Sequence, residues 1–573
     1  MDRRWMLSGS VVGSYRRGLA LAMVAIMIAL IAGFAAALMV MATTNSENVL
    51  THMQREEALA EANSGIMSSI AEITTMRDAG GDGWGWMTTA YANGSYRVVC
   101  ESIGGGEFRA IARGTTNEGT VRYVEAVFRP SPPIPASEAA LGFYGRTIDP
   151  KDKIRLEIHG DGPNEEDTVK ISGIDPNGHP SMPAVGVEDP DGYKTLMERL
   201  SQKIADGKKV SEASFEGTPV VAYTNDKGDT VNVPIIEVPN PRLSSDNLEA
   251  FRSTVFDTLK NDVIPAADYV INDHINKGEQ LVLGTLASPV VVVVDGKDIH
   301  IDGGASITGA GILIVTKDWH LHHATINWTG TIIVMGDNKH GDSKIKNHHA
   351  ALNITGNLLA IGGDGGSARI DIHNDDKKRD SSTHITGTVM ALGGPDDKSK
   401  AEFRHHHGDM TVDGFVAALG QRAKIKIDEN GGGKDAIRQF TLNGAMVVAV
   451  PNTEDKGAEK LEVKLHGNVT LQYDKEKQDA ALQNLVGFMG LLNLPPQAYS
   501  TVSWREMPQA LGDAAMAAMT APPIPAPGSP TIGGGAGELV PALGGGTSPS
   551  PGTAPAPAPT PDPGPGKGKG KGK

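Results

Sequence analysis

The chain has 573 residues, 70 of them glycine and 35 proline, with aromatics at 5% and a net charge of −15. That length exceeds one compact core and allows several structural units. The glycine and proline content disfavours a helical enzyme and suits turn-rich β architecture plus linkers. The negative charge argues against a general nucleic-acid binder, and the single Cys100 excludes an intrachain disulfide.

Residues 1–17 form a basic leader carrying Arg3, Arg4, Arg16 and Arg17. From Gly18 to Ser46 no residue is charged, and Ala, Leu, Ile, Met and Val dominate. At about 1.5 Å per residue this run exceeds the ~30 Å hydrocarbon core of a bilayer. Arginines precede it and Glu47, Glu56, Glu57 and Glu61 follow, so the positive-inside rule places the N-terminus in the cytoplasm and the rest outside. A cleaved signal peptide is the rival, but its apolar region is shorter. Val49, Met53, Leu59, Ala62, Ile66, Ile70 and Ile73 then recur at helical steps until Gly80 and Gly81, extending one helix over 18–78.

Residues 79–129 read as a small antiparallel β head with strands at 95–103, 108–116 and 120–129. Pro130, Pro132, Pro133 and Pro135 mark a stiff linker over 130–137. Residues 138–280 mix strand-like and helical runs and are expected to cap the N-terminal end of a repetitive region that begins at Leu281.

Over 281–473 short apolar runs alternate with Gly, Asn and Asp, as in "INWTGTIIVMGD", "LNITGNLLAIGG" and "FTLNGAMVVAV". Gly330, Gly356, Gly387, Gly414 and Gly444 recur at near-equal steps, a periodicity that marks stacked supersecondary units. With β-branched runs and glycine corners the expected fold is mainly β, a right-handed parallel β-helix. A β-sandwich of hairpins is the alternative. Residues 474–520 are expected to form a helical C-terminal cap. The Pro/Ala/Gly/Lys tail at 521–573 cannot bury a core and reads as disordered, with Lys567, Lys569, Lys571 and Lys573 as a cationic end.

Twelve of the 17 histidines lie between His300 and His407. His320 and His322 would share a strand face, and His405, His406 and His407 are consecutive; imidazole is a ligand for Zn, Ni or Cu. These five are the metal candidates. No closed spacing such as paired CxxC or HExxH occurs, which favours a solvated histidine stripe on the outside of the solenoid. Asp295, Asp298, Asp302, Asp371, Asp375, Asp376, Asp396 and Asp397 sit mainly at predicted turns, where Asp stabilises the bend. Cys100 falls in a predicted strand and reads as a structural thiol. No P-loop or nucleophile elbow is present, so neither a catalytic residue nor a cofactor is assigned and the expectation is a non-enzyme.

The run from Arg16 to Ile73 resembles the N-terminal segment of PilX-type minor pilins and related type IV pilus assembly proteins. The carriers are Arg16-Arg17-Gly18, the Thr43-Thr44 pair and the stretch from Ala58 to Gly65, about the first tenth of the chain. The resemblance implies prepilin peptidase cleavage between Gly18 and Leu19, and other pilin or secretion-system subunits as partners. Main pilins carry Glu at the fifth mature position, where this chain has Met23, which implies a minor, priming or tip-located subunit. The glycine-punctuated region and the closing "STVSWREM" are similar to an uncharacterised domain often joined to such anchors; that likeness assigns no activity. The reading is a single-pass bacterial inner-membrane protein with its bulk periplasmic or extracellular, displaying a solenoid for pilus or secretion assembly or adhesion. The alternative is a membrane-tethered β-helix enzyme acting on polysaccharide.

Overall fold

The computed structural model describes residues 9–78, 86–91, 94–104, 107–134, 136–145, 154–159, 169–206, 210–238, 245–272, 274–295, 299–301, 303–336, 341–373, 382–396, 398–429, 439–450, 460–492 and 499–520. The start of the basic leader, the whole tail at 521–573, and Asp298, Asp302, Asp375, Asp376 and Asp397 lie outside the described residues.

Helix α1 (Gly9–Asp78) runs 70 residues without a break. From Met23 to Met53 its side chains are exposed, Phe34 at 73%, whereas Ala58, Ala62 and Ile66 are buried. These residues lie on an antiparallel sheet built from β1 (Trp86–Tyr91), β2 (Gly94–Gly104), β3 (Glu107–Thr116) and β4 (Val121–Pro130). Helix and sheet approach so closely that a Cβ at Gly114 would lie 1.9 Å from the Ala58 carbonyl oxygen. Gly65 is likewise pressed against Val98.

Next come β5 (Leu141–Tyr144), β6 (Ile154–His159), β7 (Val169–Ser172), β8 (Val185–Val187) and helix α2 (Pro190–Ala205). After them lie β9 (Phe215–Glu216), the hairpin β10 (Val221–Thr224) and β11 (Thr230–Val233), then β12 (Ile235–Glu237). Helix α3 (Ser245–Thr258) leads to β13 (Tyr269–Ile271), β14 (Gln280–Leu283), β15 (Val290–Asp295) and β16 (Ile299–Ile301). The main stack is β17 (Ser306–Thr316), β18 (Asp318–His322), β19 (Thr325–Met335), β20 (Ser343–His348), β21 (Ala351–Ile361), β22 (Ala368–His373), β23 (Thr383–Leu392), β24 (Lys400–His406), β25 (Met410–Leu419), β26 (Arg422–Asp428), β27 (Phe440–Ala449), β28 (Lys460–His466) and β29 (Val469–Tyr473).

From β17 to β28, odd strands pair in parallel with odd and even with even, so each turn contributes one long and one short strand. Each long strand is bent at a glycine. Gly311, Gly330, Gly356, Gly387, Gly414 and Gly444 stack in register with φ between +124° and +149°, a region L side chains avoid. The bend splits the strand between two faces. The first half of β17 pairs with β14 and its second half with β15; the first half of β27 pairs with β29 and its second half with β5. With the short strands this makes a three-faced parallel β-helix, and the parallel pairing excludes the hairpin sandwich. Trp319, Trp328 and ranks of Ile, Leu and Val fill the interior.

Two expectations are corrected. The region 138–280 does not cap the N-terminal end: β5, β6 and β7 extend β27, β28 and β29 at the C-terminal end, and only β13 and β14, past α3, reach the opposite end. Long-range parallel pairing decides this, and it leaves no local sequence mark. Residues 474–520 do not form one helical cap. Helix α4 (Lys475–Leu491) lies along the flank, on β21, β23, β25 and β27. The apolar runs after each glycine present outward residues such as Ile333, Leu359, Met390 and Val447, which Leu485 and Phe488 of α4 and Phe251 of α3 cover. Finally, β30 (Tyr499–Met507) returns to the head as its fifth strand, antiparallel to β4, and helix α5 (Gln509–Thr520) comes after it, with Asp513 accepting a hydrogen bond from the Tyr123 hydroxyl. The head is therefore built from both sides of the solenoid in sequence.

Candidate functional site

The short strands alternate strictly. On β18, Trp319 and Leu321 face the core while Asp318, His320 and His322 face outward. Because the turns are in register, His322, His348, His373 and His406 fall on neighbouring strands in one column. Asp428, His466 and His159 continue it across β26, β28 and β6.

The rings follow the ladder. His322 and His348 stack with centroids 5.1 Å apart and planes 8° from parallel. His348 to His373 is 5.6 Å and His373 to His406 is 6.0 Å. Farther along, His159 Nδ1 lies 3.0 Å from His466 Nε2, and His466 Nδ1 is 4.0 Å from Asp428. A second file stands at the corner: His323, His349 and His407 have φ of +52°, +62° and +56°, a left-handed conformation that His tolerates better than most residues. His323 and His349 stack at 5.0 Å, and His407 lies 5.7 Å from His373.

Crowding sets the electrostatics. Burial, then His322 and His373, holds the His348 imidazole below its usual range. Burial and Lys426 hold His406 at about 4. Neutral imidazoles stack without repulsion, whereas protonating one opposes protonation of the next. Beside the histidines, the outer columns carry paired charges. Arg369 bonds Asp371 at 2.5 Å, Arg404 bonds Glu402 at 2.5 Å, and Lys464 bridges Glu157 at 2.7 Å and Glu462 at 3.0 Å. Burial would raise the Glu462 carboxyl, but Lys464, Lys424 and Lys460 outweigh it and hold it at about 2.

The five metal candidates separate. His320 sits one column away from the ladder, 4.0 Å from Asp318, and His322 is stacked in it. His405 points into the core, fully buried, with Nε2 2.7 Å from Glu429 and 3.0 Å from the Gly408 carbonyl. His406 points outward and His407 turns the corner. Among the described residues no group of three or more His, Cys, Asp or Glu is arranged to hold a metal ion. The spacing of the candidates does not single out His348, His349 and His373. A usable signal exists, because the step from His322 to His348 equals that from Gly330 to Gly356.

The described aspartates of the turn set, Asp295, Asp371 and Asp396, are each engaged locally. Asp295 accepts a hydrogen bond from Thr316 at 2.6 Å, Asp371 pairs with Arg369, and the Asp396 carbonyl accepts from the Ser399 amide in a turn. Cys100 is buried beneath α1, and burial pushes its thiol up to about 12. Gly18 and Leu19 lie within α1. Among the described residues α1 is the one helix long and apolar enough to cross a membrane.

No family model and no curated protein matches the chain. Among solved structures it is similar to the competence-associated pilin ComZ from Thermus thermophilus, with 11% identity over 79% of this chain and 98% of that chain, and a TM-score of 0.15. A superposition that distant establishes neither a common fold nor a common function.

Proposed function

We propose that this chain is a membrane-anchored surface protein of minor-pilin type, in which α1 holds the head and the solenoid on the outer side of the inner membrane. The observation that carries this reading is the division of α1. Its first half is apolar and exposed on every side from Met23 to Val40, while Ala58, Ala62 and Ile66 are buried by the head. Bare apolar surface of that length suits lipid, and the packed half suits a domain resting on the emerging helix. Arg16 and Arg17 before the apolar run and Glu47, Glu56 and Glu57 after it orient the head outward. The minor-pilin assignment rests on Arg16-Arg17-Gly18 and on Met23 at the fifth mature position.

The solenoid then serves display, for pilus or secretion assembly or for adhesion, rather than catalysis. The dispersal of Asp295, Asp371 and Asp396, each engaged locally, supports this. N-terminal sequencing of the membrane-extracted protein is the test. A mature terminus at Leu19 supports pilin-type processing; an intact leader on membrane-bound protein removes the minor-pilin assignment and leaves a plain anchor.

A further inference from the structure

At the C-terminal end of the solenoid a cleft of about 740 Å³ opens between β6 and α2. Its size suits a short peptide segment or a drug-sized molecule. One wall is a run of β6 itself, Ile154 to Glu157 with His159; the other is Leu196, Glu198, Arg199, Leu200, Gln202 and Lys203 of α2. The helix closes on the strand at one end, where a Cβ on Gly192 would sit 2.1 Å from Ile154 Cδ1.

Strand β6 is the last strand of its eight-stranded sheet. Toward β28 it is fully laddered, and the Gly467 amide donates to the His159 carbonyl at 3.1 Å. Backbone groups alternate sides along a strand. His159, Glu157 and Arg155 therefore point theirs at β28, and Ile154, Leu156 and Ile158 turn theirs toward the free edge. No described strand pairs with that edge. An unpaired edge is a template for another strand.

The cleft is also charged. Arg155, Arg199 and Lys203 line it together with Ile154, Leu156, Leu196 and Leu200. The wall carboxylates are Glu198 and Glu157, and Glu157 already serves both Arg155 and Lys464. Burial, followed by the charges of Arg155 and Arg199, holds the Lys203 amine below its usual range. An arriving carboxylate would relieve that crowding.

We propose that the cleft between β6 and α2 binds an extended acidic peptide segment, which adds to the free edge of β6 as a further strand. Its backbone completes the hydrogen bonds of Ile154, Leu156 and Ile158. Alternate side chains turn toward Leu156 and Leu200, and its carboxylates meet Arg155, Arg199 and Lys203. This site is independent of membrane anchoring.

Fluorescence anisotropy on the detergent-solubilised full chain tests it, using a labelled hexapeptide of alternating valine and glutamate. The expected result is saturable binding, weakened about tenfold or more by Lys203→Glu or Arg199→Glu, both on the helix surface. The valine–lysine counterpart should bind at least about tenfold more weakly. An analogue N-methylated at every peptide bond, which has no backbone donor left to offer β6, should not bind. Three results overturn the proposal: no binding of the acidic peptide, equal binding of the N-methylated analogue, or displacement of the peptide by inorganic phosphate as effectively as by unlabelled peptide. The last would leave a simple anion site.

Discussion

At the scale of single residues, the glycine column and the histidine column show the same principle acting on opposite sides of the wall. In register, one residue's choice is imposed on every turn. A Cβ at Gly387 would lie 1.8 Å from the Gly356 carbonyl oxygen, with φ at +141°. Gly387→Ala should therefore cost about 4 kcal/mol, combining a strained backbone with overpacking, read as a loss of denaturant midpoint. The histidine ladder makes a pH prediction. His406 and His348 have folded pKa values below the ordinary ~6.5, so the unfolded chain binds more protons between those limits. Stability is then fully present above about pH 6.5 and falls as pH drops toward 4. Thermal unfolding from pH 7.5 to 4 should show that decline, and His406→Gln should flatten it; an unchanged slope in the variant contradicts the assignment.

At the scale of elements, docking of α1 on the head depends on how near the helix can come. Gly114→Val places atoms where the Ala58 carbonyl stands, and should cost about 2 kcal/mol or more and loosen the helix. Limited proteolysis near Ala58 and the thermal midpoint of the head would report it. Much at this scale is legible in the sequence. The long helix follows from apolar spacing through Ile66, and the three head strands from 95–129 fall where alternation and glycines place them. The glycine corners are equally readable, since only glycine serves at those φ values. The return of β30 is not. "STVSWREM" has strand propensity, but its partner β4 lies on the far side of the entire solenoid in sequence, and nothing local names it. The position of the cap is hidden for the same reason, because β5 precedes every turn of the main stack and yet pairs with β27 near its close. For the site, clustering of histidine is visible, while the division of His405 inward and His406 outward needs the register of β24.

At the scale of the whole molecule, the chain leaves the head, lays down the end of the solenoid, crosses along its flank through α3, and winds back turn by turn to where it began. Arg252 fixes that crossing: it is 1% exposed and holds Asp364 at 2.7 Å and the Gly362 carbonyl at 3.0 Å. The solenoid is thus a closed excursion between β4 and β30 of one sheet. Truncation before Tyr499 should leave β4 as an open edge and expose Phe128, giving a head that aggregates while the solenoid keeps its cooperative unfolding. Light scattering and the far-UV melting profile would separate the two.

If α1 spans a membrane with its basic end inside, everything after it lies outside. Protease accessibility in intact spheroplasts carrying an N-terminal epitope tag and a processing-blocked leader tests it most directly. Added protease should digest the solenoid while the tag stays protected until the membrane is lysed. Digestion of the tag with a protected solenoid, or recovery of the whole chain in the soluble fraction, would contradict it.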